Sequence, residues 1–207
     1  MSHFFFIPVI LIGYLIGSSN MAYYVSRLKG VDIRSEGSGN LGASNAMTVI
    51  GWRAGVIVGA HDILKGLLAV VLARHFCGEL PYVGAVAGVS CVLGHIFPFY
   101  LKFKGGKGLA AFLGMTLALN WKLALTVMLA IVLITLITDY IVIGTVTAVV
   151  TVPTYLGVSQ HSAVLFSIIF VATAVMLFKH RDNYRRLLAG TEFGLRRANR
   201  GEYRNKK

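Results

Sequence analysis

Long stretches without a charged residue constrain this chain more than any other feature of its sequence. No Lys, Arg, Asp or Glu occurs in residues 4–26, 80–101, 108–121, 123–138 or 140–178. A helix needs about 20 apolar residues to cross a bilayer. Lipid does not tolerate unpaired backbone groups, and no stretch alternates with the period of a strand. The sequence therefore predicts an all-α, polytopic integral membrane protein.

Seven transmembrane helices are predicted. The stretch 140–178 is too long for one span, and we expect it to break near Pro153 and within the polar residues 157–162. The pieces on either side of Lys122 are interpreted as two helices, with one tilted helix as the alternative. The spans are residues 4–25, 54–76, 81–101, 108–120, 122–138, 140–157 and 162–179, followed by a basic tail, 180–207, in a single domain covering 1–207.

The basic residues favour seven spans over six. Of the 20 Lys and Arg residues, 17 fall in the segments 27–53, 102–107 and 179–207. Positive loops prefer the cytoplasm, and seven spans place all three segments there, with the N-terminus outside and the C-terminus cytoplasmic. The net charge of +12 is then explained by orientation and membrane lipids, and no nucleic-acid partner is expected. With 56% apolar residues, the chain is also too apolar for a disordered protein.

The first polar segment, residues 36–45, is rich in glycine and in small hydroxyl or amide side chains. Glycines let the backbone turn sharply and approach a ligand, and their N–H groups can form an anion-binding nest. Gly37, Gly39 and Gly42 also match G-x-G-x-x-G, with Asp62 at the spacing of the dinucleotide fingerprint. That fingerprint requires a preceding strand. Because a membrane helix precedes the segment here, we expect no dinucleotide site.

The second polar segment alternates two lysines with three glycines, in residues 103–108. Cationic side chains, accessible N–H groups and the start of the predicted fourth helix together favour phosphate binding. The segment is not a Walker A loop, because Gly108 stands where Ser or Thr would bind magnesium. The alternative is that Lys104 and Lys107 only anchor a helix at lipid headgroups. His95, close by in sequence, is either structural or part of the phosphate site.

The third polar segment, residues 180–192, repeats polar residues every three positions. One helix face can therefore present His180, Asn183 and Arg186. Arg196 and later basic residues are interpreted as headgroup anchors, and Asp139 is given no special role.

Within a predicted span, Asp62 and Lys65 are three residues apart and are expected to pair, either as a structural ion pair or as support for a site. No metal-ligand spacing is present, so no metal or other cofactor is expected.

Three segments carry a family resemblance: residues 38–45 (SGNLGASN), residues 94–98 (GHIFP) with 103–108 (FKGGKG), and residues 180–183 (HRDN) with Gly190 and Glu192. They resemble the motifs of the PlsY family, the bacterial acyl-phosphate-dependent glycerol-3-phosphate acyltransferases. The resemblance implies a seven-helix enzyme of the inner (cytoplasmic) membrane, active on the cytoplasmic side. It would transfer a fatty acyl group from acyl phosphate to the 1-hydroxyl of glycerol 3-phosphate, giving lysophosphatidic acid and phosphate at the start of phospholipid synthesis.

The site residues follow from the motifs and this resemblance. Lys104, Lys107 and the glycine backbone would bind phosphate and the developing oxyanion, while His180, Asn183 and Glu192 would orient glycerol 3-phosphate. His180 and the phosphate of the donor are alternative general bases. The expected catalytic residues are Ser38, Lys104, His180 and Asn183. The expected substrate- or phosphate-binding residues are Gly39, Asn40, Gly42, Ser44, Asn45, Arg53, His95, Gly105, Gly106, Lys107, Gly108 and Glu192.

The chain departs from the family pattern at two positions. Ser44 replaces a frequent Thr and keeps its hydroxyl group. Thr48 replaces a frequent Arg, and Arg53 is the candidate to supply the missing charge.

Two other functions are weighed, an anion transporter and an acyltransferase for another phosphorylated alcohol. Transport predicts polar groups near the middle of the bilayer, whereas the polar residues of this chain gather on one predicted side of the membrane.

Overall fold

A computed structural model describes residues 6–78, 80–194 and 196, and all regular secondary structure in these ranges is helical. Residues 4 and 5 of the predicted first span and residues 195 and 197–207 of the basic tail lie outside the described residues. The helices are α1 (Phe6–Ser18), α2 (Met21–Leu28), α3 (Ala43–Val49), α4 (Trp52–Cys77), α5 (Val83–Ile96), α6 (Leu109–Leu119), α7 (Trp121–Thr138), α8 (Ile141–Ser159), α9 (Ala163–Lys179) and α10 (Arg181–Leu188). A 3-10 turn, Phe99–Leu101, follows α5.

The backbone divides after Trp121 into two compact units, Met1–Trp121 and Lys122–Lys207. In the first unit, α1 packs on α5, and α4 packs on α3, α5 and α6. In the second unit, α8 packs on α9. Many large apolar side chains of the helices are exposed, among them Ile137 at 80% and Leu129 at 59% on α7. A surface of this kind is suited to lipid.

The predicted spans agree with the helices at most positions. Within the described part of the chain, five helical stretches are long and apolar enough to cross a membrane, namely Phe6–Leu28, Trp52–Cys77, Val83–Leu101, Trp121–Thr138 and Ile141–Ser159. Helices α9 and α10, bent by 48°, make a sixth when they are counted together. Helix α6 has 11 residues. At about 1.5 Å per residue its length is roughly half the thickness of the hydrocarbon core. The seventh span and the orientation therefore stay predictions.

Two expectations about helix ends have clear outcomes. The expected break near Pro153 is wrong, because α8 continues through this proline to Ser159. Membrane helices tolerate proline, since the freed backbone groups find other partners. The break expected within residues 157–162 is confirmed, because α8 ends at Ser159 and Ser162 caps α9 by accepting a 3.1 Å hydrogen bond from the Leu165 N–H. At Lys122 the structure has two helices rather than one, because α6 ends at Leu119 and the extended Asn120 separates it from α7.

The first span contains an interruption that the sequence analysis did not anticipate. Helix α1 ends at Ser18 and α2 begins at Met21. Asn20 caps α2 by accepting a hydrogen bond from the Tyr23 N–H at 2.9 Å. A helix break leaves carbonyl groups without helical partners, and the neighbouring Ser19 carbonyl is used by the candidate site described below.

Glycines allow the helices of the first unit to approach closely. An added Cβ on Gly17 would overlap the Cys91 carbonyl, and one on Gly94 would overlap the Tyr14 carbonyl, where α1 crosses α5. A Cβ on Gly66 would likewise overlap the Ala111 carbonyl where α4 crosses α6. Small residues are the usual means of tight helix packing in membranes. These crossings fix the helix ends that carry the polar segments.

In the second unit, the chain after α10 lies against the turn between α7 and α8. The Arg196 N–H donates to the Asp139 carboxylate at 2.8 Å, and its guanidinium donates to the Leu136 carbonyl at 3.2 Å. Asp139 has a φ of 72°, a left-handed conformation that few residues other than glycine adopt. The expectation that Asp139 has no special role is therefore corrected, because its carboxylate joins the turn between α7 and α8 to the chain after α10. Arg196 likewise makes hydrogen bonds within the protein and is not only a headgroup anchor.

Two glycines of α4 test the packing argument. Alanine is favoured over glycine by about 1 kcal/mol in a helix. Glycine-to-alanine variants at two positions of α4 share this gain, so any difference in their stability reports tertiary packing. We expect Gly66→Ala to lower the free energy of unfolding by about 1–3 kcal/mol through overpacking. Gly59→Ala is the matched control, because its Cβ would meet the Ala43 side chain at an ordinary 3.5 Å. Thermal unfolding in one detergent measures both, and equal stabilities would contradict the argument.

Candidate functional site

Asn45 organises the first polar segment from within. Its side chain is buried, with 3% exposure, and its amide oxygen accepts a hydrogen bond from the Ser38 N–H at 2.8 Å. Its amide nitrogen donates to the carbonyls of Ile33 at 3.0 Å and Glu36 at 3.2 Å. Gly37, with φ of 58°, packs so closely on this amide that a Cβ would overlap its oxygen. Asn45 therefore holds the loop in shape.

The candidate ligand contacts of this segment are distributed around that buried amide. Ser38 and Ser44 are exposed, Gly39 and Asn40 are half-buried, and Gly42 is buried. Arg34, beside them, makes a two-pronged contact with the Asp32 carboxylate at 3.0 and 3.1 Å. The hydrogen bonds from Arg34 hold the pKa of Asp32 below its ordinary value. The charge of Arg34 is thus already partnered within the loop.

The second segment, here called the glycine–lysine loop (residues 103–108), differs from the expected nest. The Gly105 N–H donates to the Ile96 carbonyl at 3.0 Å, and the Gly106 N–H donates to the His95 carbonyl at 3.1 Å. The expectation that these two N–H groups are open to phosphate is therefore corrected, since both are used inside the protein. They clip the loop to the end of α5.

The cationic groups of the loop stand beside a helix N-terminus. Lys104 is exposed and Lys107 is half-buried. Gly108, with φ of 94°, precedes α6, and the Phe112 N–H donates to its carbonyl at 2.9 Å. The N–H groups of residues 109–111 precede that first bond, so they have no acceptor within the helix. The donors suited to an anion are thus these N–H groups together with the two lysines.

The first two segments meet within the first unit. An added Cβ on Gly106 would lie 2.9 Å from the Leu41 carbonyl and would overlap the His95 ring. The same Leu41 carbonyl accepts a 3.4 Å hydrogen bond from the Asn20 amide. The sequence analysis missed Asn20, although a polar Ser-Ser-Asn run inside an apolar span was a visible signal.

A buried charged cluster lies beneath this meeting point. The expected pairing of Asp62 with Lys65 is confirmed, at 2.8 Å and with exposures of 3% and 4%. The Lys65 ammonium also donates to the Ser19 carbonyl at 2.7 Å and contacts His95 Nδ1 at 2.9 Å. The sequence analysis named all three side chains but did not anticipate that they touch, because His95 follows in a different helix.

The third segment forms its own cluster in the second unit. Glu192 is buried at 7% exposure and accepts hydrogen bonds from the Asn183 amide at 2.6 Å and from the Arg186 guanidinium at 2.7 Å. The chain reverses at Gly190, where φ is 67°, and the Glu192 N–H returns to the Arg186 carbonyl at 3.1 Å. Asn183 and Arg186 therefore share a face, as their spacing predicted.

His180 has a defined ring orientation at the junction of α9 and α10. It is buried at 5% exposure, and its Nδ1 lies 2.8 Å from the Met176 carbonyl. A carbonyl only accepts hydrogen bonds, so Nδ1 carries the hydrogen. In the neutral ring Nε2 is then unprotonated and able to accept a proton.

Arg53 is the expected ligand at the start of α4. It is exposed at the start of α4, with its guanidinium 5.5 Å from the centre of the Trp52 ring. Thr48 hydrogen-bonds to the Ser44 carbonyl at 3.0 Å. That Arg53 supplies the charge missing at Thr48 stays a prediction.

Apolar helices long enough to span a membrane, close glycine crossings and polar segments at the helix ends define the class of this chain as a polytopic membrane protein. The family model described as "Glycerol-3-phosphate acyltransferase" matches residues 7–190. The chain belongs to this glycerol-3-phosphate acyltransferase family.

Curated relatives carry the same description. The glycerol-3-phosphate acyltransferase of Thermoanaerobacter sp. (strain X514) is 38% identical over 184 residues, covering 88% of this chain and 91% of that protein. The one of Geotalea daltonii is 38% identical over 187 residues, covering 89% and 95%.

Two solved structures share the fold. A crystal structure of PlsY (YgiH), an integral membrane glycerol 3-phosphate acyltransferase, in its glycerol 3-phosphate form has a TM-score of 0.86 at 34% identity, covering 92% of this chain and 95% of that one. The lysophosphatidic acid form has a TM-score of 0.83 at 33% identity, covering 91% and 94%.

The Glu192 cluster yields a stability prediction. Glu192→Gln keeps the shape but removes the buried charge and leaves one acceptor oxygen for the two donors of Asn183 and Arg186, and we expect a loss of about 1.5–3 kcal/mol in local stability. Asp182→Asn is the control on the same short helix. Its carboxylate is 56% exposed and 3.5 Å from Arg185, so a change within about 0.5 kcal/mol is expected. Hydrogen exchange of residues 181–192 in detergent is the measurement, and equal effects would contradict the assignment.

Proposed function

We propose that this chain transfers a fatty acyl group from acyl phosphate to the 1-hydroxyl of glycerol 3-phosphate, releasing lysophosphatidic acid and inorganic phosphate as the first step of phospholipid synthesis. The observation that carries the proposal is the family match over residues 7–190. It agrees with the two similar PlsY structures, whose bound forms are a glycerol phosphate and its acylated product.

The glycine–lysine loop supports binding of the phosphates. Lys104, Lys107 and the N-terminus of α6 offer charge and N–H donors where a phosphate needs them. Gly105, Gly106 and Gly108 shape this loop, and His95 lies directly behind Gly106. As the hydroxyl oxygen attacks the acyl carbon, the carbonyl oxygen gains negative charge, which Lys104 stabilises. The bond from the acyl carbon to the phosphate oxygen then breaks, and phosphate leaves with the electron pair.

We assign the proton of the attacking hydroxyl to His180. Its Nδ1 lies 2.8 Å from the Met176 carbonyl, which only accepts, so in the neutral ring Nε2 carries the lone pair that a general base uses. The leaving phosphate is the other acceptor for this proton. Asn183 and Glu192 are assigned to the binding of glycerol 3-phosphate, with Glu192 acting through Asn183, which it contacts at 2.6 Å.

The first segment is assigned to substrate positioning. Ser38, Gly39, Asn40, Gly42 and Ser44 surround a loop that Asn45 braces, so the exposed hydroxyl groups of Ser38 and Ser44 stand on a fixed backbone. Arg53 is assigned to the charge of the glycerol phosphate.

We further propose that the chain is one acyltransferase domain in the cytoplasmic membrane, with seven spans, an external N-terminus and a cytoplasmic active side. In the first unit the first two polar segments contact each other, which agrees with their placement on one side as two cytoplasmic loops. In the second unit, the turn at Asp139 contacts Arg196 at 2.8 Å, which also agrees with it.

Enzyme assays separate the proposed reaction from its alternatives. We expect the detergent-purified protein to release phosphate from palmitoyl phosphate only when glycerol 3-phosphate is present, because hydroxyl attack drives cleavage of the donor. Palmitoyl-CoA should not replace the donor. Release with another phosphorylated alcohol alone would indicate a different acyltransferase, and phosphate flux into vesicles without lysophosphatidic acid would indicate a transporter.

The role of Lys104 has a matched control in the same loop region. Lys104→Ala should lower kcat/KM by about a hundredfold or more, the usual cost of losing a group that stabilises an oxyanion. Lys102→Ala removes a neighbouring exposed lysine and should stay near wild type. Undiminished turnover of Lys104→Ala would overturn the phosphate and oxyanion assignment.

A further inference from the structure

We propose that the buried Asp62–Lys65 pair is a positioning unit for the glycine–lysine loop, acting through His95. The proposal deepens the function proposed above and rests on it. Neither member of the pair touches the reacting atoms in this assignment. Their part is to fix the orientation and the protonated nitrogen of the His95 ring, against which the loop packs.

The contacts of Lys65 determine the state of the His95 ring. An ammonium group has three hydrogens to donate and no lone pair. Three acceptors lie within hydrogen-bond distance, namely the Ser19 carbonyl at 2.7 Å, the Asp62 carboxylate at 2.8 Å and His95 Nδ1 at 2.9 Å. Because Lys65 can only donate, Nδ1 must accept. A neutral His95 ring then carries its hydrogen on Nε2.

The competing contacts of Asp62 are longer. His95 Nδ1 lies 3.5 Å from the Asp62 carboxylate, and His61 Nδ1 lies 3.4 Å from it. N–H···O bonds are usually about 2.7–3.2 Å long. The short contacts of the Asp62 carboxylate and of His95 Nδ1 are therefore both with Lys65, and a His95 imidazolium paired with Asp62 is disfavoured. His61 is held from its other side by the Ser19 hydroxyl at 3.1 Å.

His95 is linked to the loop at two places. Its carbonyl accepts the Gly106 N–H at 3.1 Å, and its ring Nε2 faces Gly106 so closely that any Cβ there would overlap it. A rotation or displacement of the ring would therefore move Gly106. The flanking Lys104 and Lys107, which carry the proposed phosphate contacts, would move with it.

A role confined to the broken first span does not account for this arrangement. Satisfying the Ser19 carbonyl requires one donor, whereas the structure places a fully charged pair inside a membrane helix. Burying ions costs several kcal/mol each before pairing, and charged residues within membrane helices usually serve function. The contact with His95 supplies that function by connecting the pair to the loop.

The protonation state of the ring is measured directly by NMR. The full chain in detergent micelles, labelled with ¹⁵N-histidine, should show a His95 ring protonated at Nε2 and unprotonated at Nδ1. Comparison with His95→Asn assigns the signal. Lys65→Met should abolish this pattern. A wild-type ring protonated at Nδ1, or at both nitrogens, would overturn the proposal.

Inorganic phosphate tests the consequence for the loop. Lys65→Met and His95→Asn should each weaken phosphate binding about tenfold, roughly one hydrogen bond to a charged group. Because the two residues act in series, the double variant should bind no more weakly than the weaker single variant. In enzyme assays the KM for palmitoyl phosphate should rise more than kcat falls.

Cys91→Ala is the structural control. Cys91 is fully buried and its thiol contacts the Lys65 carbonyl at 3.5 Å, so its loss should lower Tm while phosphate binding stays within about twofold of wild type. Lys65→Met with the Tm of Cys91→Ala and wild-type phosphate binding would overturn the proposal. Should Lys65→Met not fold, His95→Asn carries the same comparison. The NMR signal of the ring and the binding of inorganic phosphate are both measured without acyl transfer. They therefore decide the positioning role even where the enzyme assay fails.

Discussion

The Lys65 ammonium has to be surrounded by acceptors, and this requirement organises the first unit. A charge inside a membrane helix is tolerated only when its partners are complete. Lys65 obtains them from three parts of the chain, namely Asp62 on its own helix, the Ser19 carbonyl at the break of the first span, and His95 on α5. The break would leave a carbonyl unpaired in lipid without Lys65, and Lys65 would be under-paired without the break. Each irregular feature therefore stabilises the other, and both lie directly behind the glycine–lysine loop.

The polar groups of the loops divide into those that form hydrogen bonds inside the protein and those that the proposed function assigns to a ligand. The Asn45 amide, which sequence reasoning placed among the ligand contacts, uses its donors and acceptor on the backbone around it. The Gly105 and Gly106 N–H groups are likewise used at the end of α5. The groups suited to an anion are then Lys104, Lys107 and the start of α6. In the second unit Glu192 has a similar internal role, because it holds Asn183 and Arg186 in place.

Much of this could be predicted from local patterns, and the exceptions have physical reasons. Most spans were predicted within a few residues because a lipid-crossing helix must be long and uncharged. The Asp62–Lys65 pair followed from helical spacing. Pro153 misled, because α8 continues past it where a soluble helix is often broken. Asp139 and Arg196 were treated as unremarkable, yet they contact each other across 57 residues of chain. No local pattern reveals a contact of that separation.

The sequence by itself determined the class of the protein: a helical membrane chain, with its basic charge in three segments and with motifs of the glycerol-3-phosphate acyltransferase family. These properties depend on composition and spacing along the chain, which the order of residues contains directly. Only the tertiary structure decided which N–H groups bond inside the protein, where the first span breaks, and that Lys65 reaches His95. These depend on which helices cross and how closely, and the crossings are set by glycines packed against carbonyls of distant helices. The distances that give Lys65 its three acceptors exist only once those helices have packed.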